Sequence, residues 1–77
     1  MDFQKAFGEK MRLARMEKGL SVEETSEKSG ISAKRISEIE EAEGASPNLF
    51  EMISVCDVYE TTVDMLVTAA KFSAEHD

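Results

Sequence analysis

The feature that most constrains the fold is a pair of helix-start signals that stand close together in the sequence, with a glycine between them. Ser21 is followed three residues later by Glu24, the spacing of a capping box, in which the hydroxyl and the carboxylate each accept a bond from a free backbone N–H. Gly30 can adopt the positive φ that ends a helix, and Ser32 can cap the next one. The sequence therefore predicts two short helices joined by about four residues.

Apolar side chains at helical spacing predict a further helix before the two short ones. They also indicate which face of the second short helix is buried. A first helix over roughly residues 3 to 18, ended by Gly19, is predicted from a stripe at three- and four-residue steps: Phe3, Phe7, Met11 and Ala14. The third helix turns Ile36 and Ile39 inward and is expected to fade by Gly44, before Pro47.

Two more helices are predicted after Pro47. The fourth follows from a stripe that we expect to be buried: Leu49, Met52, Ile53, Cys56 and Tyr59. Thr61, with Asp64 three residues later, offers a cap for the fifth, whose apolar side is Val63, Leu66, Val67 and Ala70. We expect this helix to run into Phe72, so that residues 1–72 form a single all-α domain of five helices and residues 73–77 a flexible tail.

Size and composition limit what this chain can do. Its 77 residues support one modest core, and the single cysteine, Cys56, excludes an internal disulfide and is expected to be buried and inert. No cysteine and histidine spacing suggests a metal, and no arrangement typical of a catalytic site or a cofactor loop occurs. We therefore expect that the protein is not an enzyme. The first residues lack the pattern of a signal peptide and no apolar run could cross a bilayer, so we expect a cytoplasmic protein.

Charge argues against contact with a polyanion, but it is unevenly distributed. The net charge is -7, with nine basic and sixteen acidic side chains. Residues 1 to 20 carry five basic and three acidic groups, residues 21 to 44 three and seven, and residues 45 to 77 one and six. The first predicted helix is therefore the only segment with a positive net charge.

Four stretches between Phe7 and Val67 resemble the lambdoid phage repressor and Cro family of helix-turn-helix domains. They are residues 15–21 (RMEKGLS), residues 30–32 (GIS), residues 36–40 (ISEIE), and the spacing from residues 47–49 (PNL) to residues 63–66 (VDML). The resemblance implies a five-helix bundle of the phage-repressor type, in which helices two and three form the helix-turn-helix and the second of them enters the major groove of DNA.

The resemblance also implies which residues do the work. Those expected to contact DNA are Ser32, Ala33, Lys34, Arg35, Ser37 and Glu38, with Lys28 and Arg12 as further basic contacts. Of these, Lys34 and Arg35 are the expected readers of guanine, since both are hydrogen-bond donors. Arg15 and Glu40 stand where the family pairs helix one with the end of the recognition helix, which predicts a partly buried, bidentate ion pair with a structural role.

Several residues depart from the family pattern. Val22 replaces a glutamine that contacts phosphate, and Glu41 and Glu43 place carboxylates where basic residues are common. Glu60 replaces the glycine that ends helix four, so that helix ends differently or holds Glu60 in a strained turn. In helix two, small hydroxyl residues replace apolar ones, which predicts looser packing: Thr25, Ser26 and Ser29.

Two functions follow from these matches and departures. The first is a transcription regulator that binds double-stranded DNA as a homodimer, paired through residues on or after helix five: Val67, Ala70 and Phe72. The second is the same scaffold used as a protein-interaction module, anti-repressor or antitoxin-like, whose contact patch is Val22, Glu38, Glu41 and Glu43. Neither function needs a cofactor, a metal ion or a membrane.

Overall fold

The computed structural model describes residues 2–76 of the chain, and it is all-α over that range. The five helices there are α1 (Phe3–Glu17), α2 (Val22–Ser29), α3 (Ala33–Glu40), α4 (Leu49–Val58) and α5 (Val63–His76), with no strand among residues 2–76. The fold class and the number of helices predicted from the sequence are confirmed.

Side-chain caps start the helices. Asp2 accepts a bond from the Lys5 backbone N–H at 2.9 Å at the start of α1. Asn48 and Glu51 form a capping box at α4 that the sequence analysis did not identify. The cap predicted for α5 was wrong by one residue, because the Met65 N–H donates to Oγ1 of Thr62, at 3.1 Å, and the Thr61 N–H instead donates to the Cys56 carbonyl at the end of α4.

Three helices end in the same backbone motif, although only one of them has a glycine there. After α1, α3 and α4 the chain turns through a residue of positive φ, and the next N–H bonds back to a carbonyl in the last helical turn. The turning residues are Gly19 (φ 68°), Ala42 (φ 57°) and Glu60 (φ 56°). Of the two outcomes expected at Glu60, the strained turn is thus the one present, and α3 ends at Glu40, before Gly44 as predicted.

The core lies where α1 packs against α5 and α3, with α2 closing the other side against α3 and α4. Its largest fully buried side chains are Phe7, Met11, Ile36, Val55 and Thr25. Thr25 has no exposed surface, and its Oγ1 accepts a bond from the Tyr59 hydroxyl at 3.4 Å. A polar residue in α2 is therefore accommodated in the core through a partner on the loop after α4.

The inner face of α4 differs from the predicted stripe. Met52, Cys56 and Tyr59 do pack inward together with Val55, but Leu49 and Ile53 are 61% and 46% exposed. Apolar residues occur on almost every side of this helix, so their spacing alone does not identify which side faces the core.

Helix α5 is longer than predicted, and its inner face includes one residue assigned to a dimer surface. It continues past Phe72 through His76, whose Nδ1 lies 2.9 Å from the Phe72 carbonyl and whose ring stacks on the Phe72 ring. Residues 73–76 are thus helical, while Met1 and Asp77 lie outside the described residues. Ala70 has no exposed surface and belongs to the core of the chain itself, so it cannot line a dimer interface.

We expect Ala42→Gly to stabilise the protein by about 1 kcal/mol, because a Cβ is unfavourable at positive φ and glycine carries none. The measurement is the midpoint of urea unfolding, compared with wild type. Ala69→Gly, in the middle of α5, is the matched control and should destabilise by about 1 kcal/mol, since glycine there only adds flexibility to the unfolded chain. Equal effects of the two substitutions would contradict this account of the α3 terminus.

Candidate nucleic-acid interface

Helices α2 and α3 are held in a fixed relation by the turn between them. The predicted capping box starts α2, with both bonds present between Ser21 and Glu24, and they lower the pKa of the Glu24 carboxyl. Gly30, at φ 79°, ends the helix. Ile31 is buried beneath the turn and donates its N–H to the Ser29 hydroxyl, and Ser32 then caps α3 by accepting from the Arg35 N–H.

One side of α3 faces away from the core. Ile36 and Ile39 are buried on the inner side. The outer side follows the spacing of one helical face, with Lys34 and Glu41 exposed and Ser37 and Glu38 half-buried between them. We call these four residues the outer face of α3, and it carries one cation, one hydroxyl and two carboxylates.

Arg35 does not point outward with Lys34, contrary to its expected role in reading guanine. Its Nε and Nη2 donate to the two carboxylate oxygens of Glu51 at 2.8 and 3.0 Å, and Nη2 also lies 3.3 Å from the Ser46 carbonyl. These bonds lower the pKa of Glu51, with the Arg35 side chain 18% exposed. Arg35 therefore joins α3 to α4, and this use of its guanidinium competes with contact to a base.

Arg15 and Glu40 form the bidentate pair that the resemblance implied. Nε of Arg15 lies 2.8 Å from Oε2 of Glu40, and Nη2 lies 3.0 Å from Oε1. The third guanidinium nitrogen donates to the Leu20 carbonyl at 2.9 Å. The hydrogen bonds to Glu40 raise the pKa of Arg15 above its usual value, so the guanidinium stays protonated.

The other two expected basic contacts lie in different places relative to α3. Lys28 is exposed in the last turn of α2, just before the turn that leads into α3. Arg12 is exposed on α1 and, with Glu41 and four other residues, lines an open cavity of about 250 Å³ beside the end of α3: Lys5, Glu9, Glu40 and Ala42. Arg12 is therefore near the carboxylates at the end of α3, Glu40 and Glu41, and not near the residues that begin α3.

The sequence analysis missed two structural residues beside this surface. Glu51 fixes Arg35, although the residues between α3 and α4 have no pattern that reveals where they lead. Gly8 lets α1 approach the end of α3, since a Cβ there would lie 2.5 Å from the Ile39 carbonyl oxygen and 2.6 Å from that of Glu40. A glycine in the interior of a predicted helix is a possible signal for such an approach.

Chemistry elsewhere in residues 2–76 is sparse. Burial, helped by the charge of Asp57, raises the pKa of the Cys56 thiol, which disfavours the reactive thiolate. Within that range no cluster of three metal-ligating side chains occurs. Nor does any described helix combine the length and apolar character needed to cross a membrane.

Two short helices joined by a glycine turn, with the second presenting a free outer side, define the chain as a helix-turn-helix domain. The sequence matches the helix-turn-helix domain family over residues 6–69, and the chain belongs to that family. The narrower resemblance to lambdoid repressors stays a prediction.

A solved structure of another protein is similar to this chain over nearly its whole length. It is the crystal structure of the clp gene regulator ClgR from Corynebacterium glutamicum, which superposes with a TM-score of 0.89 at 25% sequence identity and covers 97% of this chain and 79% of that one. No curated protein sequence matches the chain.

Removing one partner of the Arg15–Glu40 pair should strand a charge that is only 5% exposed on Glu40. We expect Arg15→Met to reduce the free energy of unfolding by roughly 3 kcal/mol, and the double variant Arg15→Met with Glu40→Met to lose less than the two single losses together. Urea unfolding of the four proteins measures this coupling. Lys18→Met, which breaks the exposed Lys18–Glu60 pair, serves as the control and should change stability little. Additive losses at Arg15 and Glu40 would contradict the predicted role.

Proposed function

We propose that the chain is a DNA-binding domain of a transcription regulator that places α3 in the major groove of double-stranded DNA. The observation that carries this proposal is the free outer face of α3 on a helix-turn-helix scaffold, with Lys34 exposed on it. The second helix of such a motif is the one that enters the groove. The similarity to ClgR, a gene regulator, supports the same reading.

Lys34 is the side chain best placed to read a base. It is exposed in the first turn of α3, and its ammonium group can donate to the acceptors O6 and N7 of guanine. Ser32, Ala33 and Ser37 flank it and are small enough to let the helix approach the groove. Lys28 extends the basic character to the end of α2 and is suited to a phosphate.

The acidic residues reduce the part of the affinity that comes from phosphate contacts, and so they make the binding weak in total. Glu41 and Glu43 are exposed just after α3 and repel phosphate, and Val22 at the start of α2 offers phosphate no hydrogen bond. A second copy of the domain on the same DNA would compensate, because two weak modules bind together. We infer a homodimer paired through the outer part of α5, where Phe72 is 62% exposed and Val67 half-buried.

Selection of bound duplexes from a library with a randomised centre, at low salt, tests the proposal. We expect wild type to enrich one sequence that reads the same on both strands, as a symmetric dimer requires. Lys34→Ala should weaken binding to that sequence by about 10-fold. Lys71→Ala, which removes a cation on α5 instead, is the control and should have a much smaller effect.

The second candidate is a protein-interaction module, and one observation favours it. Carboxylates make up half of the outer face of α3, and Val22 presents an apolar side chain at the start of α2, which together suit a basic or apolar protein surface. Glu41→Arg separates the two functions in the same selection assay. It should strengthen retention of duplex DNA if α3 meets phosphate, whereas failure of wild type to retain any duplex at low salt would sink the DNA proposal and favour a protein partner.

A further inference from the structure

The carboxylate of Glu38 has one contact with a charged group of the fold, a long ion pair with Arg35. It is half-buried on the outer face of α3, between Lys34 and Glu41. Its nearest cation is Nη1 of Arg35, at 3.7 Å, which is too long for a hydrogen bond. Within the described part of the chain no donor lies within hydrogen-bond distance of this carboxylate, which leaves it able to accept a bond from a ligand.

The neighbouring Arg35 lies beside this carboxylate and lowers the electrostatic repulsion between the carboxylate and the phosphates of DNA. Nε and Nη2 of Arg35 donate hydrogen bonds to Glu51, and the remaining nitrogen, Nη1, is the one that faces Glu38. A fixed cation beside Glu38 offsets part of the repulsion between its carboxylate and the phosphates. Glu41, by contrast, is exposed at the end of α3 and has no such neighbour among the ion pairs of residues 2–76.

We propose that the carboxylate of Glu38 contacts cytosine in the major groove and thereby selects that base at one position of the DNA site. This inference rests on the proposed DNA-binding function and adds a ligand preference to it. A carboxylate only accepts hydrogen bonds, and cytosine presents the N4 amine as a donor in the major groove. Guanine and thymine present acceptors to the same side chain and are rejected.

Adenine is the nearest competitor, and its edge distinguishes it from cytosine. It presents the N6 amine as a donor, but N7 beside it is an acceptor that would face the second carboxylate oxygen. A glutamine at the same position satisfies both adenine atoms, since its amide has a donor and an acceptor. Glu38→Gln therefore converts a cytosine preference into an adenine preference.

The test is the base composition, position by position, of duplexes that each protein selects from a library with a randomised centre at low salt. Wild type should select cytosine at one position of each half-site. Glu38→Gln should select adenine there, with a change of about 10-fold in relative affinity for the two bases, and leave the other positions as they were. Glu38→Ala should remove the preference at that position without replacing it.

Glu41→Gln is the matched control, because it removes the same charge from the same face. It should strengthen retention of all duplexes alike and shift no base preference. If wild type selects a site and Glu38→Gln selects the same bases, the assignment of Glu38 is wrong while the proposed function stands. If wild type retains no duplex, both the proposed function and this inference fall.

Discussion

The Arg15 guanidinium holds together the three parts of the chain on which the position of α3 depends. It lies near the end of α1, forms two bonds to Glu40 at the end of α3, and donates a third to the Leu20 carbonyl in the loop that enters α2. Gly8, seven residues earlier on the same face of α1, lets this helix approach the backbone carbonyls of Ile39 and Glu40 at the end of α3. With α1 anchored against α5 in the core, these contacts fix the direction in which the outer face of α3 points.

A second ion pair fixes α3 from its other end. Arg35 joins the start of α3 to Glu51 on α4, so that each end of this short helix is tied to a different neighbour. Acidic residues are thus used in two ways: Glu40 and Glu51 hold the motif in place, while Glu38 and Glu41 face outward. Each of these ion pairs joins one basic and one acidic group, so they leave the net charge of -7 unchanged, and the outer face of α3 itself carries one cation and two carboxylates.

Local signals in the sequence were enough to predict the helices. They did not identify contacts between residues that lie far apart in the chain. Ser21 and Ser32 indicate where α2 and α3 begin, because a cap bonds to residues only a few positions away. Glu51 lies sixteen residues from Arg35, and no sequence pattern in the loop between them predicts their contact. The ion pair between Arg15 and Glu40 was predicted, despite their separation in the sequence, only because the resemblance to a family implies it.

The remaining errors arise where apolar or hydroxyl residues stand side by side. The prediction that Leu49 and Ile53 are buried is wrong because α4 is apolar on most sides. The prediction that Ala70 lines a dimer surface is wrong because spacing on α5 does not separate an inner from an outer stripe. Thr61 and Thr62 are adjacent and both able to cap, so the sequence could not distinguish them. In each case packing between helices decided the outcome.

The most direct test of the account is a map of backbone amide NMR shifts in isotope-labelled protein on addition of a selected duplex at low salt. The account predicts that the largest changes fall on Lys28, on Ser32 and along the outer face of α3, with little change on the inner side of α5. Changes centred on α4 or α5, with α3 unaffected, would contradict the claim that α3 is the surface that meets DNA.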